Sequence, residues 1–238
     1  MKEDDATIRD DADVPSKDAS ALTRSALTEE RLRSYGVVPV VELDDPEQAD
    51  ALFAALSEGG IAAAEITLRT SGAATALAKL IDRNPKALLG AGTVRSLDDA
   101  RRVVDMGATF VASPGTDESV VTYCLENDVL VLPGVCTPTE ILRALGAGAR
   151  VLKFFPAEAI GGVGYLKALA GPFRDVGFVA TGGINPTNLE SYLRLPQVAS
   201  CGGSWMVAPE LLAAGRFDEI TRLTRQAVDI VEAVRGDH

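Results

Sequence analysis

The chain has 238 residues, 47% of them hydrophobic, with 34 acidic against 23 basic side chains and a net charge of −11. That length supports one sizeable domain with its own core. The acidic balance argues against nucleic acid and anionic membrane as partners, although a local site on an acidic protein can still be positive and accept an anionic small molecule.

The first twenty residues hold seven acidic and three basic side chains and little apolar surface. Residues 1–24 therefore read as a disordered acidic tail. The stretch lacks the apolar centre of a signal peptide, and no long uninterrupted apolar span follows, so a cytoplasmic protein is expected. A short helix is predicted near Ser25–Ser34. From Val37 onward, short apolar runs alternate with amphipathic patterns. The predicted strands are Val37–Val41, Ala62–Leu68, Ala87–Ala91, Thr109–Ala112, Leu130–Pro133, Val151–Phe155, Gly177–Thr181 and Val198–Cys201. The predicted helices are Pro46–Glu58, Gly72–Arg83, Leu97–Met106, Asp117–Asn127, Pro138–Leu145, Gly164–Ala170, Pro186–Arg194 and Pro209–Val234, the last broken near Gly215. Prolines at 46, 138, 186 and 209 suit first turns.

Eight βα units predict a single α/β domain over residues 25–238, a (β/α)8 TIM barrel with a short extra N-terminal helix. A doubly wound open sheet is the runner-up. It wants a G-x-G-x-x-G after the first strand, where this chain has the acidic loop Glu42-Leu43-Asp44-Asp45.

Strand parity makes a geometric prediction, because side chains alternate between barrel interior and helix layer. Ala64, Ile66 and Leu68 form an apolar face for the helices, which turns Ala63, Glu65, Thr67 and Arg69 inward. By the same reasoning Ala91 with Thr93, Val151 with Lys153 and Phe155, and Val179 with Thr181 share faces. Charged and hydroxyl groups then converge toward the strand C-termini, where barrel enzymes place their sites.

Three cysteines, at 124, 136 and 201, are odd in number and lack metal-ligand spacing, so free thiols are expected. The one histidine is His238, the last residue. That removes Ser-His-Asp triads, Cys-His dyads and His-ligated zinc, and leaves chemistry to Lys, Glu, Asp, Arg, Thr, Ser and backbone groups.

Lys153 lies inside the apolar run Val151-Leu152-Lys153-Phe154-Phe155. A strand apolar on both faces is buried on both faces. A lysine there has lost much of its water, which disfavours the ammonium form and makes the amine a usable nucleophile. A Schiff-base lysine and a buried ion pair, or a lysine snorkelling from the strand end, stand side by side from this run alone. Glu65, inward on its strand, is a candidate general acid/base or the partner of Lys153 or Arg69 in an internal ion pair. Arg69 can bind a carboxylate or phosphate, or simply lie exposed on a loop. Gly90-Ala91-Gly92-Thr93 lets a ligand approach the backbone, or lets strands pack closely. Thr181-Gly182-Gly183 and Cys201-Gly202-Gly203-Ser204 put paired glycines after the last two strands, where barrels cradle phosphate. Trp205 reads as a packing residue beside that loop.

Eight motifs occur in one order and spacing: Glu-Ile-Thr-Leu-Arg-Thr (65–70), Gly-Ala-Gly-Thr-Val (90–94), Ser-Pro-Gly (113–115), Leu-Pro-Gly (132–134), Lys-Phe-Phe-Pro-Ala-Glu (153–158), Leu-Ala-Gly-Pro-Phe (169–173), Thr-Gly-Gly-Ile (181–184) and Gly-Gly-Ser-Trp (202–205). From Val37 to the C-terminus the chain resembles the class I 2-keto-3-deoxy-6-phosphogluconate (KDPG) and 4-hydroxy-2-oxoglutarate aldolases. The resemblance implies a metal-independent, cofactor-free, typically trimeric enzyme. It implies cleavage of KDPG to pyruvate and glyceraldehyde 3-phosphate, and of 4-hydroxy-2-oxoglutarate to pyruvate and glyoxylate. Lys153 would form the imine and Glu65 would transfer protons. Arg69 and Thr93 would hold the pyruvate carboxylate, with Pro114 and Phe155 lining the pocket. Thr181 would influence stereochemistry, and Gly182, Gly183, Gly203 and Ser204 would receive the phosphate. Three alternatives stay open. One is an aldolase for the galactonate epimer, whose relatives carry an apolar residue where this chain has Thr181. Another is a metal-dependent aldolase, disfavoured by the lack of usable histidine. The third is a non-catalytic phosphosugar-binding barrel in which Glu65 and Lys153 are a structural pair.

Overall fold

The structure, a computed structural model, describes residues 23–236. The expected acidic tail lies outside that range except for its last two residues, and so does His238. Nine strand segments pair in parallel in the order β5-β4-β3-β2-β1-β9-β8-β7-β6. They are β1 (Val37–Val41), β2 (Ala63–Thr67), β3 (Leu88–Gly92), β4 (Phe110–Ala112), β5 (Leu130–Leu132), β6 (Gly134–Val135), β7 (Val151–Phe154), β8 (Gly177–Thr181) and β9 (Val198–Gly203). β5 and β6 are two halves of one stave, interrupted at Pro133, which has no N–H to give a ladder. The Pro133 carbonyl still accepts from Lys153 N–H at 2.9 Å. One half pairs with β4 and the other with β7, so the ring closes as a barrel of eight staves.

The helices are α1 (Arg24–Tyr35), α2 (Ala49–Glu58), α3 (Ala73–Arg83), α4 (Leu97–Asp105), α5 (Glu118–Glu126), α6 (Pro138–Gly146), α7 (Gly162–Ala170), α8 (Leu189–Leu193), α9 (Pro209–Ala213) and α10 (Phe217–Gly236). Local chemistry starts several of them. Ser96 and Asp117 accept N-terminal N–H groups of α4 and α5, and Thr137 with Glu140 forms a capping box ahead of Pro138 in α6. The predicted helix Pro186–Arg194 is shortened to α8. Asn185 and Asn188 bond the local backbone: Asn188 Oδ1 accepts Asn185 N–H and Asn185 Oδ1 accepts Thr187 N–H, both at 2.9 Å. Those bonds favour a turn over a helix start. The last predicted helix divides at Gly215, whose φ of 64° is left-handed. Among the described residues no helix is long and apolar enough to cross a membrane.

α1 packs against β1, β3, β5 and β9 and closes one end of the barrel. Both its ends are held by distant groups of the favourable sign. The Asp128 carboxylate accepts from Arg24 N–H (2.7 Å), Ser25 N–H (3.1 Å) and Ser25 Oγ (2.7 Å). The Arg235 guanidinium on α10 donates to the carbonyls of Arg33 and Ser34 at the other end. An anion at the N-terminus and a cation at the C-terminus both oppose the helix dipole. Burial pulls the Asp128 pKa upward, but the bonds from Ser25, Arg24 and Thr23 outweigh it and hold the carboxyl below its ordinary 3.8. Asp128→Ala is expected to cost about 1 kcal/mol, the usual size of a lost N-cap, and to lower Tm by about 2–4 °C. A lowered folded value means the contribution is complete above pH 3.8 and is lost as pH falls through that lowered value. The gap in stability between the parent and Asp128→Ala should therefore be widest at neutral pH and narrow in acid, leaving the part owed to the left-handed backbone of Asp128 (φ 52°), which does not titrate; denaturant melts from pH 7 to 2 will show it.

Candidate active site

The lumen is built in layers that follow the strand register. Val40 on β1, Glu65 on β2 and Gly90 on β3 are level with one another, and Gly90 is level with Phe110 on β4. On the far side Gly134, Lys153 and Val179 are level. Residues directly paired in a sheet point to the same face, and Glu65 and Lys153, from these two layers on opposite sides, both enter the barrel. They meet there: Lys153 Nζ donates to Glu65 Oε1 at 2.8 Å, with the residues 6% and 4% exposed. The expected convergence of a lysine and a carboxylate is thus present, and the two span 88 positions in sequence.

Glycines make that convergence possible. A Cβ on Gly92 would collide with Glu65 Oε1, so the carboxylate leans up to the level of the last β3 residue. A Cβ on Gly90 would lie 2.5 Å from the Phe110 ring, and one on Gly202 would lie 2.5 Å from Thr181 Oγ1. These glycines clear room for neighbouring side chains. This corrects the parity expectation for Ala91 and Thr93. Ala91 is level with Ile66 and Val111, on the helix side, and the lumen face of β3 is glycine because Glu65 and Phe110 fill that space. Thr93 reaches the mouth by a different route, a left-handed backbone turn with φ of 59° just past the strand.

Above the Glu65–Lys153 pair, at the C-terminal ends of the strands, opens a cleft of about 360 Å³. Thr67 and Phe155, each two residues beyond one member of the pair, line it together with Arg69, Thr181, Gly182, Gly183 and Ser204. The Lys153 ammonium lies 5.6 Å from the centre of the Phe155 ring. Arg69 bridges two neighbours: its Nε donates to Thr93 Oγ1 at 3.2 Å and its Nη1 lies 3.5 Å from Glu42 Oε2. Arg69 and Glu42 are half exposed, and an ion pair of that kind is worth about 0–1 kcal/mol, so an incoming carboxylate can displace Glu42. Thr181 presents a buried hydroxyl with no hydrogen-bond partner, at the cleft wall.

The remaining expected residues lie at varying distances from this cleft. Pro114 is exposed on the loop after β4 and is not in the cleft wall. Gly203 is buried, and a Cβ there would strike the Trp205 ring. Its glycine character is therefore accounted for by Trp205 packing, as expected for that tryptophan. Ser204 is exposed and lines the cleft. Val40, Glu42, Thr67, Ile184, Gly202, Val207 and Pro209 also line it and were not singled out as site residues. Parity already turns Thr67 inward with Glu65, without giving it a role at the site. Glu42 carried no such signal, being one acid in an acidic loop.

A buried amine 2.8 Å from a carboxylate can exchange one proton with it and become a free nucleophile without proton traffic to solvent. Beside it stand the Arg69 guanidinium, an unpartnered hydroxyl and a glycine loop. Comparison with known proteins bears on that set. A family model described as KDPG and KHG aldolase matches residues 28–223. The 2-dehydro-3-deoxy-phosphogluconate aldolase of Treponema pallidum is 46% identical over 202 residues, 85% of this chain and 96% of that protein. The KHG/KDPG aldolase of Escherichia coli is 42% identical over 193 residues, 81% and 91% of the two chains. The crystal structure of the Legionella pneumophila KDPG aldolase, with pyruvate captured at low pH as a covalent carbinolamine intermediate, is 40% identical. It superposes with a TM-score of 0.81 and covers 84% of this chain and 97% of its own.

Proposed function

The chain belongs to the KDPG and KHG aldolase family, and on that premise we propose that it cleaves KDPG reversibly to pyruvate and glyceraldehyde 3-phosphate through a Schiff base on Lys153. The buried 2.8 Å contact between Lys153 Nζ and Glu65 Oε1 carries the reading. Proton transfer to Glu65 frees the amine, which attacks the C2 ketone and forms a carbinolamine. Loss of water gives an iminium whose positive nitrogen accepts electrons from the bond that breaks. Glu65 gives its proton to the departing carbinolamine hydroxyl, which leaves as water, and as a carboxylate it then takes the proton of the C4 hydroxyl. The C3–C4 bond breaks, the aldehyde departs and an enamine remains. Glu65 returns a proton to C3, and water hydrolyses the imine to pyruvate and the free lysine.

The same reading assigns the binding roles. Arg69, supported by Thr93, holds the substrate carboxylate, and Phe155 lines the cleft between it and Lys153. Gly182, Gly183 and Ser204, with Gly203 behind them, take the phosphate. Pro114 supports the mouth from the adjoining loop. Cleavage of 4-hydroxy-2-oxoglutarate belongs to the same chemistry, since it shares the ketone, the carboxylate and the C4 hydroxyl. The reading needs no metal or cofactor. It also carries a homotrimeric assembly, for which exposed Leu125 and Leu142 on α5 and α6 offer apolar surface. A substrate that carries both a phosphate and a carboxylate does not cross a bilayer unaided, and the reading takes the enzyme to act in the cytoplasm alongside it.

The free hydroxyl of Thr181 favours the gluconate over the galactonate epimer. A lactate-dehydrogenase-coupled assay of both tests the proposal: KDPG is expected to be cleaved faster. Thr181→Val should lower kcat/KM for KDPG about tenfold, the size of one lost hydrogen bond, and narrow the gap between epimers. Equal turnover of the two epimers by the unaltered protein would remove the stereochemical part. Phosphate-ester binding with no pyruvate release would favour the non-catalytic barrel.

A further inference from the structure

After β8 the backbone takes two left-handed steps, at Gly182 (φ 102°) and Gly183 (φ 82°). The carbonyls of this loop are all engaged. Thr181 O accepts from Ala157 N–H at 2.8 Å, and Gly182 O from Glu158 N–H at 3.0 Å. Gly183 O accepts from the side-chain amides of Asn185 and Asn188 at 3.1 and 3.0 Å. What the loop has left to offer a ligand is its N–H groups, which suit an anion.

The loop's shape depends on a side chain outside it. Glu158 packs so closely on Gly183 that a Cβ there would lie 2.7 Å from Glu158 Cβ and 2.8 Å from its Cγ. The Glu158 carboxylate would otherwise be free to swing, since the residue is exposed. It is held by Tyr192, a fully buried residue of α8, whose hydroxyl donates to Glu158 Oε1 at 2.6 Å. Burial, followed by the neighbouring Glu158, pushes the Tyr192 hydroxyl pKa up, so it stays a donor through the physiological range. Glu158 stands five residues past Lys153, at the end of the loop leaving β7, so the brace links the strand that carries the nucleophile to the anion loop.

We propose that Glu158 and Tyr192 are positioning residues for the Gly182–Gly183 loop: Tyr192 locks the Glu158 side chain against Gly183 and thereby sets the loop to receive the phosphate end of the substrate. This rests on the reading that the loop binds phosphate. Neither residue touches the reacting atoms, so the brace acts on phosphate recognition and not on imine chemistry.

Tyr192→Phe keeps the buried ring and removes only the donor. It is expected to raise KM for KDPG about tenfold, as for a lost hydrogen bond to a charged group, with kcat nearly unchanged. The constant for competitive inhibition by inorganic phosphate should rise with it. The pyruvate concentration needed for half-maximal borohydride trapping should not move, because pyruvate has no phosphate. Glu158→Ala, an exposed change that spares the core, should reproduce the effect, and Glu158→Gln, which keeps the acceptor, should restore it. The inference is overturned if both Tyr192→Phe and Glu158→Ala leave phosphate inhibition unchanged, or if they weaken pyruvate capture as much as KDPG binding. If inorganic phosphate fails to compete with KDPG in the unaltered protein, the phosphate reading of the loop fails first and takes the brace with it.

Discussion

Lys153→Arg is expected to reduce kcat/KM for KDPG by about 10⁶-fold, the scale on which enzymes lose activity when a covalent nucleophile is removed. Arginine keeps the positive charge beside Glu65 and much of the length of the side chain. Its guanidinium is not deprotonated in proteins, so it supplies no free amine to the C2 ketone. A structural role for the Glu65–Lys153 pair would tolerate this change better than any other, because the ion pair survives. The two accounts therefore separate on one variant: structure with little activity, or structure with activity retained. Melting curves should show the variant folded, with a modest loss from fitting a planar group into a buried site at 6% exposure. Pyruvate release at even a hundredth of the parent rate would contradict the nucleophile assignment.

Glu65→Gln comes next in expected size. Glutamine fills the same volume and still offers Lys153 an acceptor oxygen, but it neither takes nor returns a proton. kcat should fall by about 10²–10⁴-fold, the usual contribution of a positioned acid/base. Removing one charge of a buried pair is also expected to cost about 3–5 kcal/mol of stability, so rates should be measured well below the shifted Tm. A second readout separates proton transfer from mere support of Lys153. In deuterated water the parent enzyme should exchange the methyl protons of pyruvate, which needs only the imine and a base to form the enamine. In Glu65→Gln that exchange should drop in parallel with kcat while trapping on Lys153 persists. Exchange at the parent rate would move the base to another residue.

How far these residues can be read in advance depends on the kind of physical signal each one leaves. Glu65 and Lys153 were legible because a charged residue stands out inside an apolar strand, and the apolar face of Ala64, Ile66 and Leu68 turned Glu65 inward. The barrel itself was legible because eight apolar runs alternated with capped amphipathic segments. The split of Pro209–Val234 was visible at Gly215 for the same local reason. Parity failed at β3, where the lumen face is Gly90 and Gly92: glycine has no side chain to carry a pattern, and its role is to make space for Phe110 and Glu65 on neighbouring strands. Thr93 was placed at the mouth by a left-handed turn that no alternation foretells. Pro186 suggested a helix start, but the side chains of Asn185 and Asn188 competed for the backbone. Glu42 and the Tyr192–Glu158 brace left no local trace at all. Their meaning comes from contacts 27 and 34 positions apart.

The chemistry turns on where the covalent bond forms. Borohydride added to the protein with pyruvate should reduce the imine to a stable secondary amine, and peptide mass spectrometry should place the whole adduct on Lys153. In Glu65→Gln the label should still appear on Lys153, and Lys153→Arg should carry none. A label on Lys167 or Lys79, or label that persists when Lys153 is replaced, would contradict the central claim.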